Sequence, residues 1–316
     1  MKILVTGAKG FVGRNLCSQL NNIKEGKASL YKDVQVDNVF EYDLGDTKEE
    51  LDYYCAEADF VFNLAGVNRP QNQEEFMKGN LGFATTLLDT LKAHKNACPV
   101  MLSSSVQASL TGRFGGSEYG RSKKAGEELF FQYGHEVGAR MLIYRFPNLF
   151  GKWCRPNYNS AIATFCNNIA NDLPIQVNDR NVEMELLYID DLVDDLTPIK
   201  GGFNDLSKFD FPGVYIIYDE NDEIVYIGSA YTRNISERLK QYISKSKSGN
   251  TLANDICKLD FKVEKTDAIS DEQREKALKK IREFKILAIR HNDLEYNLIQ
   301  QYKPKYNLNG KTATKK

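Results

Sequence analysis

Ile3-Leu4-Val5-Thr6-Gly7-Ala8-Lys9-Gly10-Phe11-Val12-Gly13 decides the fold of the first part of this chain. A short apolar run leads into three glycines spaced three apart, and Val12, Leu16 and Leu20 then recur at helical spacing. The reading is strand, tight turn, helix. Glycines there let the backbone approach a pyrophosphate, and the helix N-terminus turns free N–H groups and its positive dipole end toward the phosphates. Gly7, Lys9, Gly10, Phe11, Val12 and Gly13 are therefore the expected dinucleotide cradle. Lys9 is placed to favour a 2′-phosphate, whereas no acidic or basic residue stands out after the second strand to choose between NAD and NADP.

Outward from the cradle, apolar segments over residues 59–64, 100–102 and 141–144 read as buried strands, with residues 82–92 helical between them. Strands alternating with helices predict an α/β fold, a Rossmann-like parallel sheet with helices on both faces. The pattern changes at Thr197-Pro-Ile-Lys-Gly-Gly202, a breaker-rich joint. The expected division is residues 1–196, a linker over 197–208, a small α+β domain over 209–310 and a basic tail over 311–316. In the second part, residues 213–218 and 224–228 predict a hairpin, with Tyr215 directly opposite Tyr226 if the loop is even-numbered. Residues 233–243 look helical. Ser270 and Gln273 form a capping box that opens a long helix ending near residues 291–292, and residues 294–302 form a second helical piece.

The whole chain has 316 residues, 42% hydrophobic and 27% charged, enough for two domains with their own cores. That composition excludes disordered, collagen-like and disulfide-scaffold classes. Six cysteines without a Cys-x-x-Cys pair suit a reducing cytoplasm. No apolar run is long enough for a bilayer span, so no membrane partner is expected. The net charge of −1 hides an asymmetry: residues 197–316 hold 22 basic against 17 acidic side chains, and the rest 20 against 26. The basic part leans toward a polyanionic partner.

Tyr119 and Lys123 stand four apart on a predicted helix, hence on one face. A neighbouring ammonium would lower the phenol pKa and let it trade a proton with a substrate hydroxyl or carbonyl. Ser103-Ser104-Ser105 ends a buried strand, where a hydroxyl would orient that carbonyl. Together with the glycine turn and Asn63-Leu64-Ala65-Gly66, these motifs resemble the extended short-chain dehydrogenase/reductase family over residues 1 to about 196. Arg145-Phe-Pro-Asn148-Leu-Phe-Gly151 and Leu187-Tyr-Ile-Asp190-Asp191 add to the likeness, which is strongest to capsular-polysaccharide enzymes that reduce a 4-keto UDP-amino-sugar with NADPH. The resemblance implies NADP or NAD as cofactor, held also by Asn63, Ala65 and Gly66, and a UDP-sugar as substrate. It makes Tyr119 the acid/base, Lys123 its activator and Ser105 (or Ser104) the carbonyl ligand, and leaves room for a homodimer. Met184-Glu185 stands where family members often carry Arg-Asp. The likeness stops near Asp195, so the substrate half is expected to be cut short, and the capsular enzymes' cupin-like domain is absent.

Further along, Glu295 lies at the edge of an apolar stripe with Leu294, Leu298 and Ile299. An inward carboxylate is costly unless paired or metal-bound. The assembled pattern is Gly213-Val-Tyr215, Tyr226-Ile-Gly228, Arg238, Glu295 and Pro304-x-Tyr306-Asn307. It resembles the GIY-YIG nuclease family over roughly residues 210–308. The resemblance implies that Glu295 binds Mg²⁺, Arg238 steadies phosphate charge, Tyr215 and Tyr226 position or deprotonate the attacking water, and Asn307 gives a supporting polar contact. DNA is the implied partner. The Tyr226-to-Arg238 interval is two residues longer than the commonest spacing, so Arg233 is a candidate to share the role. The expected function is a fusion of an NAD(P)-binding sugar-nucleotide reductase/epimerase-like domain with a Mg²⁺-dependent DNA endonuclease. The alternative is an oxidoreductase carrying a non-catalytic C-terminal module.

Overall fold

The computed structural model describes residues 1–28, 31, 34–67, 74–158, 160–177, 181–197, 199–221, 223–244, 250–263, 268–289, 299 and 303–307. The chain divides into two compact units, Met1–Val193 and Asp194–Lys316. No helix among the described residues is long and apolar enough to cross a membrane.

In the first unit, β1 (Lys2–Thr6), β2 (Asn38–Tyr42), β3 (Phe60–Asn63), β4 (Val100–Ser105) and β5 (Met141–Phe146) form one parallel sheet in the order β2-β1-β3-β4-β5. Connections are made by α1 (Phe11–Lys24), α2 (Lys48–Glu57), α3 (Glu74–Ala93) and α4 (Glu118–Val137). Leu4, Val61, Val100 and Leu102 pack into one core with Leu51, Leu87, Leu91 and Phe130 of α2, α3 and α4. Ile3 and Val5 are equally buried but stand outside that cluster, as alternation along a strand requires when both faces are covered. α1 presents Leu16, Leu20 and Ile23 inward. Order reverses between β1 and β3, and ligands of open parallel sheets bind at such a reversal, beyond the strands' C-terminal ends. A small parallel pair, β6 (Asn148–Phe150) with β7 (Leu186–Tyr188), flanks α5 (Ala161–Ala170) and precedes α6 (Ile189–Leu196).

The second unit contains β8 (Ile199–Gly202), β9 (Gly213–Tyr218), β10 (Ile224–Ala230) and β11 (Lys285–Ile289) in the order β10-β9-β11-β8, all antiparallel. Helices α7 (Ile235–Tyr242), α8 (Thr251–Asp260) and α9 (Asp271–Glu283) complete it. Three expectations change here. Residues 199–202 form an edge strand within the stretch read as a joint, because the extended chain finds backbone partners on β11. The helix opened by the Ser270–Gln273 capping box ends at Glu283, and the apolar run Ile286–Ile289 becomes a central strand between β9 and β8. The hairpin register also shifts: Tyr215 pairs with Gly228 and Tyr226 with Ile217, because five residues separate the strands and a bulge follows Ile224. The helical piece expected over 294–302 lies outside the described residues except for Ile299, which is helical and buried.

Candidate active sites

The first site grows from the β1–α1 turn. Gly7 has φ +71°, and a Cβ there would lie 2.8 Å from the Ala65 nitrogen. A Cβ on Gly13 would run into Gly7 and Ala8, so both glycines are required by close backbone packing. Gly10 is the N-cap of α1 and makes no side-chain cap, and the first turn carries no acidic residue. The helix therefore presents its N-terminal N–H groups uncapped by side chains, an arrangement that fits a dinucleotide pyrophosphate. Gly7 and Ala8 donate their N–H groups to the Tyr42 carbonyl, which ties the turn to the end of β2.

Asn63 is buried and accepts a hydrogen bond from the Thr6 hydroxyl (2.7 Å), while Ala65 donates its N–H to the same Thr6 oxygen. Gly66 leaves room for its neighbours: a Cβ would fall 2.9 Å from Asn80 Oδ1 and 3.3 Å from Lys123 Nζ. Asn80 accepts from the Val67 N–H and donates to Ser122 Oγ, so it joins this loop to α4. Sequence reasoning missed Thr6 and Asn80; a lone threonine or asparagine carries no spacing signal.

Lys123 is buried, sits 5.7 Å from the Tyr119 ring centroid, and donates to the Ser103 carbonyl. The three serines separate by role. Ser104 donates to buried Glu127 (2.5 Å), whose carboxylate is gripped by Arg145 through Nε (2.8 Å) and Nη2 (2.6 Å). Ser105 caps the short turn over Val106–Ser109 and hydrogen-bonds the Tyr119 phenol. Of the two serines, Ser105 is the one beside the Tyr119 phenol, while the Ser104 hydroxyl is committed to Glu127. The ionisation expected for Tyr119 is corrected: burial pushes its phenol up to about 12, with the Ser105 hydrogen bond opposing, and burial lowers Lys123 to about 8. Desolvation disfavours both charged forms, and for the phenol it outweighs the Ser105 hydrogen bond. Tyr119 is therefore a protonated phenol at neutral pH.

In the second unit, Tyr215 and Tyr226 share a face as diagonal neighbours rather than as a directly opposed pair, with ring centroids 6.5 Å apart. Gly228 is what allows this. The Tyr215 ring lies across it, and a Cβ would come within 2.5 Å of Tyr215 Cζ. Tyr242, fully buried on α7, joins them: its hydroxyl is 2.6 Å from that of Tyr215 and donates to that of Tyr226 at 3.2 Å. Tyr226 also meets Thr251 Oγ1 at 3.3 Å. Arg238 stacks on the Tyr242 ring (5.0 Å), hydrogen-bonds Tyr215, and donates to Gln241 at 2.8 Å. Burial drives all three phenols upward, so each is a protonated hydroxyl at neutral pH. Tyr242 went unpredicted, although its i, i+4 spacing from Arg238 was available in the sequence.

The stretch between Tyr226 and Arg238 ends in a tethered helix start. Asp210 accepts from Asn234 Nδ2 and Ser236 Oγ, and Ile235 donates to the Phe211 carbonyl, which pins the start of α7. Arg238 then faces the tyrosines while Arg233 is exposed. Asn307 clamps the edge of β10, accepting from the Ile227 N–H (2.8 Å) and donating to the Ile227 carbonyl (2.7 Å). Its contact is with backbone. Glu295 lies outside the described residues, and among those described no group of three His, Cys, Asp or Glu side chains could hold a metal.

With this geometry in view, the class of each unit follows. The chain belongs to the NAD dependent epimerase/dehydratase family, whose profile matches residues 3–197, and the GIY-YIG catalytic domain profile matches residues 211–307. Over 193 residues it is 45% identical to the UDP-2-acetamido-2,6-beta-L-arabino-hexul-4-ose reductase of Pseudomonas aeruginosa, covering 61% of this chain and 48% of that protein. The chain therefore spans about half the length of this relative. Its second part is 33% identical over 99 residues to UvrABC system protein C of Malacoplasma penetrans, covering 31% of this chain and 13% of that one. Among solved structures it resembles the capsular polysaccharide assembling protein CapF of Staphylococcus aureus, at 34% identity and TM-score 0.51, over 89% of this chain and 66% of CapF.

Proposed function

We propose that this chain carries two enzymes on one polypeptide: an NAD(P)-dependent reductase acting on a UDP-linked keto sugar, and a metal-dependent endonuclease acting on DNA. The nuclease reading rests on the Tyr215–Tyr226–Tyr242 hydroxyl cluster with Arg238 stacked beside it. With protonated phenols, Tyr226 orients the attacking water, fully buried Tyr215 positions it through the hydroxyl cluster, and Arg238 offsets charge that builds on the phosphate oxygens. Mg²⁺, with Glu295 as its proposed ligand, would supply Lewis-acid polarisation of the phosphate. The excess of basic side chains over residues 197–316 suits a phosphate backbone.

In the first unit, a bound nicotinamide supplies the hydride chemistry. Tyr119, held protonated, donates its proton to the reduced carbonyl oxygen; Ser105 hydrogen-bonds that oxygen; and buried Lys123 restrains the phenol. The identity with the reductase of Pseudomonas aeruginosa supports a keto-sugar substrate. We place the end of the first domain near residue 196, count β8 with the second domain whose sheet it joins, and assign the protein to the cytoplasm with a homodimer as its assembly.

Plasmid cleavage with Mg²⁺ tests the nuclease, comparing the wild type with Glu295→Ala and Arg238→Ala. Nicked or linear product that disappears in both variants is expected. Intact plasmid with the wild type across Mg²⁺ and Mn²⁺ would remove the nuclease reading and leave the oxidoreductase with a non-catalytic C-terminal module.

A further inference from the structure

β10 carries Tyr226, yet it stands at the edge of its sheet, and the bulge after Ile224 takes Val225 out of register with β9. An edge strand loosened by a bulge holds a side chain poorly, because its outer N–H and C=O groups lack strand partners. Here a strap, residues 303–307, supplies partners on both sides of Tyr226. Tyr306 donates its N–H to the Val225 carbonyl at 2.8 Å, and the Asn307 side-chain amide takes both backbone groups of Ile227. The strap is in turn fastened to Asp260, the last residue of α8. That carboxylate accepts the Tyr306 phenol at 2.6 Å and Lys305 Nζ at 2.7 Å, and Lys280 of α9 closes on it at 2.6 Å. Tyr306 is buried, with its ring stacked on Phe284 at 6.4 Å between centroids. One mostly buried carboxylate thus joins α8, α9 and the strap, and holds together two ammonium groups that repel each other without it.

We infer that Asp260 is a positioning residue of the nuclease: by anchoring the strap it fixes the backbone on either side of Tyr226, and so the place of that phenol beside Tyr242 and Thr251. The inference rests on the nuclease reading and adds a residue that reaches the site through the backbone of β10. In Asp260→Asn the amide oxygen still accepts a hydrogen bond, but the charge that gathers the two lysines is gone. Misplacement of a reacting group by about 1 Å can cost about a hundredfold in rate, so even partial release of the strap is measurable.

The test uses the full chain as wild type, Asp260→Asn and Tyr306→Phe; the last deletes one hydrogen bond with no change of charge and decides both readouts should Asp260→Asn not fold. Hydrogen exchange over the β10 peptide, Ile224–Ala230, read by mass spectrometry, reports the strap independently of activity. Plasmid cleavage with Mg²⁺, run well below each melting transition, reports the site. Exchange faster by about tenfold or more is expected in Asp260→Asn, and a smaller change of the same sign in Tyr306→Phe. A fall in kcat of about tenfold or more should accompany it in Asp260→Asn, with KM within about twofold, because the change acts on Tyr226 rather than on DNA binding. Unchanged exchange in the folded variants would overturn the anchor. Faster exchange with wild-type kcat, or a loss confined to KM, would overturn the positioning role. A wild type that leaves the plasmid intact would instead remove the underlying nuclease reading, whatever the exchange shows.

Discussion

Replacing Gly228 by alanine should dismantle the tyrosine cluster of the second unit from beneath. Gly228 stands opposite Tyr215 across the hairpin, and the added Cβ would lie 2.5 Å from Tyr215 Cζ and 2.9 Å from Cε2. Ordinary carbon contacts are about 3.5–4.0 Å, so the ring must retreat by about 1 Å. It has nowhere easy to go: Tyr215 is fully buried, with Tyr226 and Tyr242 against it. A retreat of that size carries its hydroxyl out of hydrogen-bond range of Tyr242, now 2.6 Å away. Overpacking costs about 1–3 kcal/mol, and a buried hydroxyl left short of a partner about 1–3 kcal/mol more. The sum is about 2–6 kcal/mol. Urea unfolding followed by circular dichroism measures it, with the near-ultraviolet tyrosine band reporting the cluster. Gly82→Ala is the control, because its site is exposed on α3 with no atom within 4 Å of the added Cβ, and it should gain up to about 1 kcal/mol. If Gly228→Ala loses less than about 0.5 kcal/mol and keeps the wild-type tyrosine band, the packing argument is refuted.

Other consequences are equally open to measurement. Burial lowers Lys123 to about 8 from an ordinary 10.5, so the unfolded chain binds more protons between those values and stability should rise with pH across that window; Lys123→Met should flatten the rise, and an unchanged slope would contradict it. Arg145→Met strands the buried Glu127 carboxylate with Ser104 as its remaining side-chain partner; because the Arg145 side chain is itself 46% exposed, the loss in urea unfolding should be about 1–3 kcal/mol rather than the full cost of breaking a buried pair. Burial works against the Asp260 carboxylate, yet hydrogen bonds from Lys280, Lys305 and Tyr306 hold it down at about 2. Its contribution is present above the ordinary carboxylate range and fades as pH falls toward 2, so Asp260→Asn should lower the Tm at neutral pH and have little effect near that acid limit.

Features carried by neighbours in sequence were legible without coordinates. The glycine turn between β1 and α1, the Ser270–Gln273 capping box and the bounds of β9 all follow from local spacing, because turns, caps and strand alternation are settled by residues a few positions apart. Motif order also carried the kinship of both units. Which residues meet was another matter. The bulge that sets Tyr215 against Gly228, the division of labour between Ser104 and Ser105, and the backbone clamp of Asn307 on β10 depend on partners far away in the chain. So do the strand made from Lys285–Ile289 and the ion pair of Lys9 with Asp46. An apolar run fits helix or strand equally until neighbouring strands offer their N–H and C=O groups, and a lysine shows its carboxylate partner only once the folded chain has brought the two together.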